Sequence, residues 1–516
     1  MSRKQEFIDS INKGYTFKGP TFTFGAAIFE GRPCPEAPVK VPLKTINRHG
    51  LIAGATGTGK TKTLQVMAEA LSDAGVAVLL MDIKGDLSGL ARPGEHNARI
   101  EERHAAIGLP YEPAAYPVEF LTISGEKGTR MRATISEFGP ILLSKILGLN
   151  DTQSGVVSVI FKYCDDKKYP LLDLKDFRKV LQYSIGEGKK EFERDYGLIS
   201  AASVGAINRQ LIELERQGAD VFFGERSFEI DDLMRSDRSG RGYISVLRLT
   251  DLQDRPKLFS TFMLSLLAEV YSTLPERGDA EKPVFVMFID EAHLIFDNAS
   301  PALLNMIETI VKLIRSKGVG IFFCTQVPSD VPEKVLSQLG LRVQHALRAI
   351  TAKDRRTIKL TSENFPLSDF YKTDQVLTSL GIGEALITGL NEKGIPTPLA
   401  ATYLVAPRSR MGILSDQELD EEIRKSEIQA VYNEVIDRKS AYEILSERIE
   451  QFESESHQKE LRKSGGGRNY SEKPEPSLLG ELSKNTMVRQ LGRTLVQEIS
   501  RGLLGAMGVN TGRRRR

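Results

Sequence analysis

The 516-residue chain has no tryptophan and only three cysteines, Cys34, Cys164 and Cys324, standing far apart. An odd count closes no disulfide framework, and no pair has the short spacing of a structural zinc site. The pattern instead predicts a reducing, cytoplasmic setting. Long apolar runs are missing too: nothing approaches the roughly 18 residues a membrane span needs. The opening MSRKQEFIDS has no apolar h-region, so no secretory signal is expected in it. Nor is there an excess of one charge. Seventy basic residues against 68 acidic ones leave +2, so any contact with nucleic acid has to rest on local patches.

What is present is the composition of an ordinary globular protein, 41% hydrophobic and 27% charged, on a chain too long for one small core. Residues 1–48 read as a short N-terminal β-rich segment. TFTFGAAIFEG alternates like short strands, and Pro33, Pro35, Pro38 and Pro42 are expected to keep the next stretch out of regular structure. Residues 49–127 begin an α/β core: GLIAG, KTKTLQVMAEALSDAG and VAVLLMDIKGD give strand, helix and strand. Apolar strands without alternation predict a parallel sheet covered on both faces. Between 128 and 235, SEFGPILLSKILGL, QSGVVSVIFKYCDD and SVGAINRQLIELERQG have helical spacing and predict a helical insertion. From 236 to 408 strand-like runs return, in GYISVLRLT, PVFVMFIDEAH, GVGIFFCTQ, QHALRAI and GEALITGL, and are expected to complete the sheet. Residues 409–462 form a charged helical segment, 463–477 a flexible linker, and 478–516 an amphipathic segment ending in a basic tail.

The most informative stretch is LIAGATGTGKTKTLQVMAEAL. Gly54, Gly59, Lys60 and Thr61 fit G-x-x-x-x-G-K-[ST], placed between an apolar strand and a helix as that motif requires. Glycines let the chain curl so that its N–H groups face phosphate oxygens, and the helix adds its free amides and the positive end of its dipole. The phosphate cradle is expected to comprise Gly54, Ala55, Thr56, Gly57, Thr58, Gly59, Lys60, Thr61 and Lys62. Lys60 supplies a point charge to the β- and γ-phosphates of ATP, and the Thr61 hydroxyl a ligand for Mg²⁺.

A second site should complete the first. In PVFVMFIDEAH a buried strand runs into Asp290 and Glu291, and the carboxyl end of a parallel strand is where α/β sheets bind ligands. Asp290 is placed to hold Mg²⁺, usually through water, and Glu291 to polarise an attacking water. That suits hydrolysis rather than transfer to a large acceptor. His293 either contacts the phosphate side or only caps the next segment. After GVGIFFCT, Gln326 can sense the γ-phosphate or orient water, with Thr325 a lesser candidate. In MDIKGD, Asp82, Lys84 and Asp86 follow the second strand of the core, and Asp82 is a candidate for supporting the metal or the water.

Together GATGTGKT, DIKGDLSGLA, FIDEAH and TQ.PSD resemble the HerA-like ATPases of the FtsK/HerA superfamily, nearest to a bacterial branch with a HerA-like C-terminal helicase domain. The resemblance covers roughly residues 15–410. It implies a RecA-like P-loop core, assembly into rings, commonly hexamers, and ATP-driven DNA translocation. By position it assigns Lys60 and Thr61 to the phosphate loop, Asp290 and Glu291 to metal and water, and Gln326 to the sensor. The archaeal kind begins with a small β-barrel, whereas only 53 residues precede Gly54 here.

Ring motors of this type use a cation from the neighbouring subunit at the γ-phosphate. LRVQHALRAITAKDRRTIKL contains Arg342, Arg348, Arg355 and Arg356, with Arg342 the first candidate and Arg348 the second. Cationic loops for DNA are sought in KGTRMR, residues 127–132, and in the tail Arg513 to Arg516. Two functional classes use the same site: a DNA motor, and a nucleotide-dependent switch for a protein partner.

Overall fold

The computed structural model describes residues 2–464 except 252, 253, 279, 299, 435 and 437, with side chains to residue 455, residue 298 excepted. The later part of the expected linker, the amphipathic segment and the tail Arg513 to Arg516 lie outside the described residues. By contacts the chain divides into two units, one of residues 1–131 and 228–434, the other of residues 132–227 and 435–516.

The first unit is built on one sheet. Its strands, among the described residues, are β1 (Thr21–Phe29), β2 (Arg32–Pro42), β3 (Gly50–Ala53), β4 (Ala77–Asp82), β5 (Val118–Thr122), β6 (Thr129–Arg130), β7 (Ile244–Arg248), β8 (Phe285–Ile289), β9 (Val319–Thr325), β10 (Leu341–His345), β11 (Glu384–Thr388) and β12 (Ala400–Leu404). They lie in the order β2-β1-β12-β11-β10-β3-β9-β8-β4-β7-β5-β6. From β10 to β6 every pairing is parallel. From β2 to β10 every pairing is antiparallel.

Every residue of β3, β4, β8 and β9 is buried, which is why these strands carry unbroken apolar runs: helices cover both of their faces. One face presents Ile52, Val78, Leu80, Val286, Phe288, Phe322 and Cys324 to Leu64, Met67 and Leu71 of the helix Lys60–Asp73. Phe288 stacks on Phe322 with ring centroids 5.0 Å apart.

The N-terminal stretch corrects the expectation of irregular structure. Residues Arg3–Gly14 form a helix, and the four prolines lie within strand β2. They are tolerated because β2 is the outermost strand, so the missing N–H groups break no inner ladder. Pro35 falls among the residues skipped by the register shift between Ala26↔Pro38 and Ala27↔Cys34. Proline-rich chain was read as loop, and the edge position removes the penalty behind that reading. The strand expected in QHALRAI also starts earlier, at Leu341.

In the second unit the described residues are mainly helical. The helices Ile135–Ile146, Asp151–Lys167 and Leu174–Tyr183 each start at a capping box, set by Thr134 with Glu137, Asn150 with Gln153, and Asp173 with Asp176. Tyr163, Phe177, Phe192 and Leu211 are fully buried in it. The charged helix Ala441–Ser464 packs on Leu174–Tyr183, where the Asp176 carboxylate receives the Ser440 hydroxyl and, at 2.8 Å, the Tyr442 N–H.

Candidate nucleotide site

Strand β3 ends between β10 and β9, and the loop that follows is moored to both neighbours. The Gly54 N–H donates to the carbonyls of Thr325 and Gln326, at 3.2 and 3.1 Å, and the Ala55 N–H to that of Ala346 at 2.9 Å. Gly54 adopts φ +153°, and a Cβ there would lie 2.4 Å from the Cβ of His345. Only glycine fits. Gly59, at φ +112°, turns the chain into the helix Lys60–Asp73. No acidic residue occupies the first turn of that helix, so its orphan amides and positive dipole end meet no competing anion there. Lys60 donates its ammonium protons back to the Gly54 and Ala55 carbonyls, at 2.7 and 3.3 Å. Neutral carbonyls are weak partners for an ammonium compared with phosphate oxygens.

Parallel pairing carries the other groups to the same edge of the sheet. β9 lies between β3 and β8, and β4 on the far side of β8, so Thr325, Asp290 and Asp82 all stand at carboxyl ends. Asp290 is buried. Its Oδ1 accepts the Glu291 N–H at 2.9 Å, while Oδ2 has no hydrogen-bond partner among the described residues. Burial, with Glu291 adding to it, pushes its carboxyl up to about 6. Glu291 takes φ +46°, uncommon for a non-glycine residue, and opens the helix Ala292–Asn298. Its Oε1 is ion-paired with Lys84. Its Oε2 is buried without a hydrogen-bond partner, with His293 Nδ1 3.2 Å away. Lys60 is within electrostatic reach of this group. Burial pulls its ammonium downward, most strongly opposed by the charge of Glu291.

Thr325 and Gln326, the two residues offered for the sensor role, have different surroundings. The buried Thr325 hydroxyl donates to Asp330 at 2.5 Å, and the same carboxylate oxygen takes the Val327 N–H at 3.2 Å. The Gln326 side chain is exposed, while its main-chain carbonyl is one of the two that moor Gly54.

Several candidates are placed elsewhere. Asp82 has both oxygens engaged by its own loop: Oδ1 accepts from Gly85 and Asp86 at 2.7 and 3.2 Å, and Oδ2 from Leu87 at 3.2 Å. It shapes a turn rather than facing metal or water. Arg342, on β10, donates to the Asn364 carbonyl at 2.6 Å and is half-buried. It pairs with Leu51 of β3, two residues short of the strand end. A side chain tied within its own chain is poorly placed as a finger for a neighbour. Arg348, Arg355 and Arg356 are exposed. In KGTRMR, Lys127 is paired with Asp420 at 2.9 Å, and the buried Arg132 donates to the Glu225 carbonyl at 2.5 Å. Arg130 is exposed, and no such bond is seen for its side chain among the described residues.

Two features went unread in the sequence. His345 lies buried beneath the loop, its Nε2 2.9 Å from the Thr63 hydroxyl. Burial, with Lys60 adding to it, lowers its imidazole to about 4, which keeps a neutral ring under the phosphate cradle. A strap around residues 408–411 lies along the helix Lys60–Asp73. Lys62 donates to the Met411 carbonyl at 2.5 Å, and Gln65 to Ser409 Oγ at 2.6 Å and to the Arg410 carbonyl at 2.9 Å. Glu69 accepts the Arg408 and Ser409 N–H groups at 2.9 and 3.0 Å. The spacing of Lys62, Gln65 and Glu69, three and four residues apart on one face of the helix, was the available signal.

The donor set also suits magnesium. Among the described residues no group of three or more His, Cys, Asp or Glu could hold a metal; magnesium at a nucleotide site takes most of its ligands from phosphate and water. Among the described residues the buried Asp290 Oδ2 has no partner and is the oxygen that asks for a cation, and Thr61 stands in the first turn of the helix Lys60–Asp73, in the motif's ligand position.

Comparison with known proteins gives this geometry its relatives. The family model described as "Helicase HerA-like C-terminal" matches residues 29–516. The DNA double-strand break repair helicase HerA of Sulfolobus acidocaldarius is 22% identical over 413 residues, 77% of this chain and 73% of that protein. Its namesake from Saccharolobus solfataricus is 24% identical over 357 residues, 68% of this chain and 63% of that one. Among solved structures, the bacterial conjugative coupling protein TrwB in its unbound monoclinic form aligns with a TM-score of 0.50 at 14% identity, over 79% of this chain and 94% of that one. At that identity the likeness speaks for the fold alone, and it bears out a RecA-like P-loop core. No helix among the described residues is long and apolar enough to cross a membrane. A phosphate loop moored between two parallel strands, with an acid pair one strand beyond, is thus matched by a family model over nearly the whole sequence, and the chain belongs to the helicase HerA-like C-terminal family.

Proposed function

We propose that the chain is an ATP-hydrolysing motor that assembles as a ring, commonly a hexamer, and translocates DNA. The observation that carries this reading is the convergence of β3, β9 and β8 on one edge, with a glycine-rich loop on the first and a buried acid pair on the last. The loop amides and Lys60 bind the β- and γ-phosphates, and Thr61 with Asp290 holds Mg²⁺, which when bound neutralises charge developing on the phosphates. Glu291 orients the attacking water and takes its proton, and Gln326 senses the terminal phosphate. Arg348, exposed just beyond β10, replaces Arg342 as the first candidate for the cation offered to a neighbouring subunit. DNA enters the reading through the relatives, which are named DNA double-strand break repair helicases.

The test joins two measurements on one sample. Native mass is taken with and without Mg-ATP, and ATP turnover with and without duplex DNA as salt is raised. A motor gives a multiple of 57.3 kDa and turnover that DNA stimulates and salt suppresses. A strict monomer whose turnover ignores DNA would overturn the motor in favour of a nucleotide-dependent switch for a protein partner.

A further inference from the structure

Lys84 is the one basic side chain of DIKGD, and no role in hydrolysis has been given to it. The loop after β4 fixes its backbone. Asp82 gathers the N–H groups of Gly85, Asp86 and Leu87, and Gly85 turns at φ +75°. From that turn Lys84 ion-pairs with Glu291 Oε1. The partners differ in surroundings: the lysine side chain is 39% exposed and the glutamate 6%. A nearly buried carboxylate whose other oxygen has no hydrogen bond among the described residues, with only the His293 ring 3.2 Å away, needs this ammonium, because an unpaired buried charge is strongly unfavourable.

The pairing has a consequence for hydrolysis. A carboxylate held by an ammonium at one oxygen is fixed in orientation and is a weaker base toward water at the other. The γ-phosphate is the stronger competitor for that ammonium, carrying more charge and several acceptor oxygens. Lys84 sits on a flexible four-carbon stem, open enough to swing. Lys60 and the acid pair are within electrostatic reach of it. We propose that Lys84 is a charge-exchange latch: it holds Glu291 while the site lacks a terminal phosphate and transfers to that phosphate when ATP binds, freeing the glutamate to position water. ADP, lacking the group, leaves the latch closed. Lys84 is thus a positioning residue for Glu291, and the inference rests on the ATP-hydrolysing reading above.

The test compares the full chain with Lys84→Ala, Lys84→Met, Lys84→Arg, Glu291→Gln and the Lys84→Met/Glu291→Gln double variant. Calorimetry gives affinities for ADP and for the non-hydrolysable analogue AMP-PNP, both with magnesium, and steady-state assays give kcat and KM. In Lys84→Ala and Lys84→Met, ADP affinity stays within about twofold. AMP-PNP affinity falls about tenfold or more, the size of one charge-assisted hydrogen bond, and kcat falls more than KM rises. Lys84→Arg restores part of the preference for the triphosphate. Glu291→Gln tightens AMP-PNP binding, since the ammonium no longer leaves a carboxylate to reach the phosphate, and the double variant shows no such gain. Lys84→Met keeps the apolar stem, so the comparison survives if the alanine variant folds poorly. An unchanged ratio of AMP-PNP to ADP affinity in a folded Lys84→Met protein overturns the latch and leaves a structural ion pair. If the parent chain bound neither nucleotide, the reading of the site would fall first and the latch with it.

Discussion

The two halves of the sheet differ in what they can gather. In the parallel half all carboxyl ends point one way, so groups far apart in sequence, at 54–62, 82–86, 290–293 and 325–330, arrive at one edge. In the antiparallel half successive strands reverse, and no such convergence is available. That half acts as a brace. The Gly383 N–H donates to the Thr58 carbonyl in the phosphate loop at 3.1 Å. Arg103 clamps the same corner, donating to the carbonyls of Gly383 and Leu404 at 3.0 Å each and of Ile382 at 2.9 Å, with its guanidinium 3.9 Å over the Tyr403 ring. Chemistry gathers where ends align, and rigidity is supplied where they alternate.

The sharpest way to break this division is to strike the parallel half without unfolding it. Glu291→Gln should lower ATP turnover about 10²–10⁴-fold, the range for losing a positioned general base, with nucleotide affinity retained or improved. Lys60→Ala should instead weaken the triphosphate itself, by about 10-fold or more. Rapid-quench turnover and calorimetric affinity on the same preparations separate the two. Near-parent turnover in Glu291→Gln would remove the acid pair from the chemistry.

The antiparallel half should answer in stability rather than in kcat. At Gly25 on β1 an added Cβ would lie 1.9 Å from the Tyr403 carbonyl oxygen on β12, and φ is +155°. Gly25→Ala should therefore cost about 2–3 kcal/mol, read from the urea midpoint, while the folded fraction keeps parental affinity for ADP. A loss of affinity at undiminished stability would show that the brace takes part in binding.

At the seam between the halves and the sensor, Asp330→Ala leaves the buried Thr325 hydroxyl and the Val327 N–H without their acceptor. The expected cost is about 1–3 kcal/mol for unsatisfied buried groups. Because the Gln326 carbonyl helps moor Gly54, kcat should fall with stability, by a few-fold rather than a thousand-fold. A change in stability alone would confine Asp330 to the turn.

Legibility followed the same division. The loop, the acid pair and the central parallel strands β3, β4, β7, β8 and β9 were readable because each chemistry demands residue types at fixed local spacing, and because strands covered on both faces cannot hide their apolar runs. β2 was not, since proline argues against a strand until the edge position is known, and that position is a property of the whole sheet. β5, β12 and β6 went unread as well: VEFLT carries an acid at its second position, AATYL opens on two alanines, and β6 has only two residues. Arg342 and KGTRMR looked available because sequence shows a cation but not its partner; Asn364, Asp420 and the Glu225 carbonyl are distant in sequence. His345 was invisible as a site residue for a related reason: its role depends on Gly54 having no side chain, a fact about two strands at once.

The strap belongs to neither half, and its effect should be the smallest and the most dependent on pH. The Glu69 carboxylate is buried against Arg408 and Ser409, and burial pushes it up to about 7 from an ordinary 4.5 even with three donors pointing at it. The folded chain therefore keeps this proton across a range where the unfolded chain has released it. The resulting stabilisation is fullest below about 4.5 and is lost as pH rises through 7, at up to about 1.4 kcal/mol per pH unit. Asp290 and Asp82, raised to about 6 and about 7, add slopes of the same sign. Glu69→Gln carries no titrating proton, so the difference in urea midpoint between pH 5 and pH 7 should narrow without vanishing. The narrowing should also persist when Asp290 is replaced by Asn, because the strap and the acid pair titrate at separate places. A variant whose midpoints shift with pH as steeply as the parent's would mean that Glu69 is ionised throughout, with the strap's N–H groups outweighing its burial.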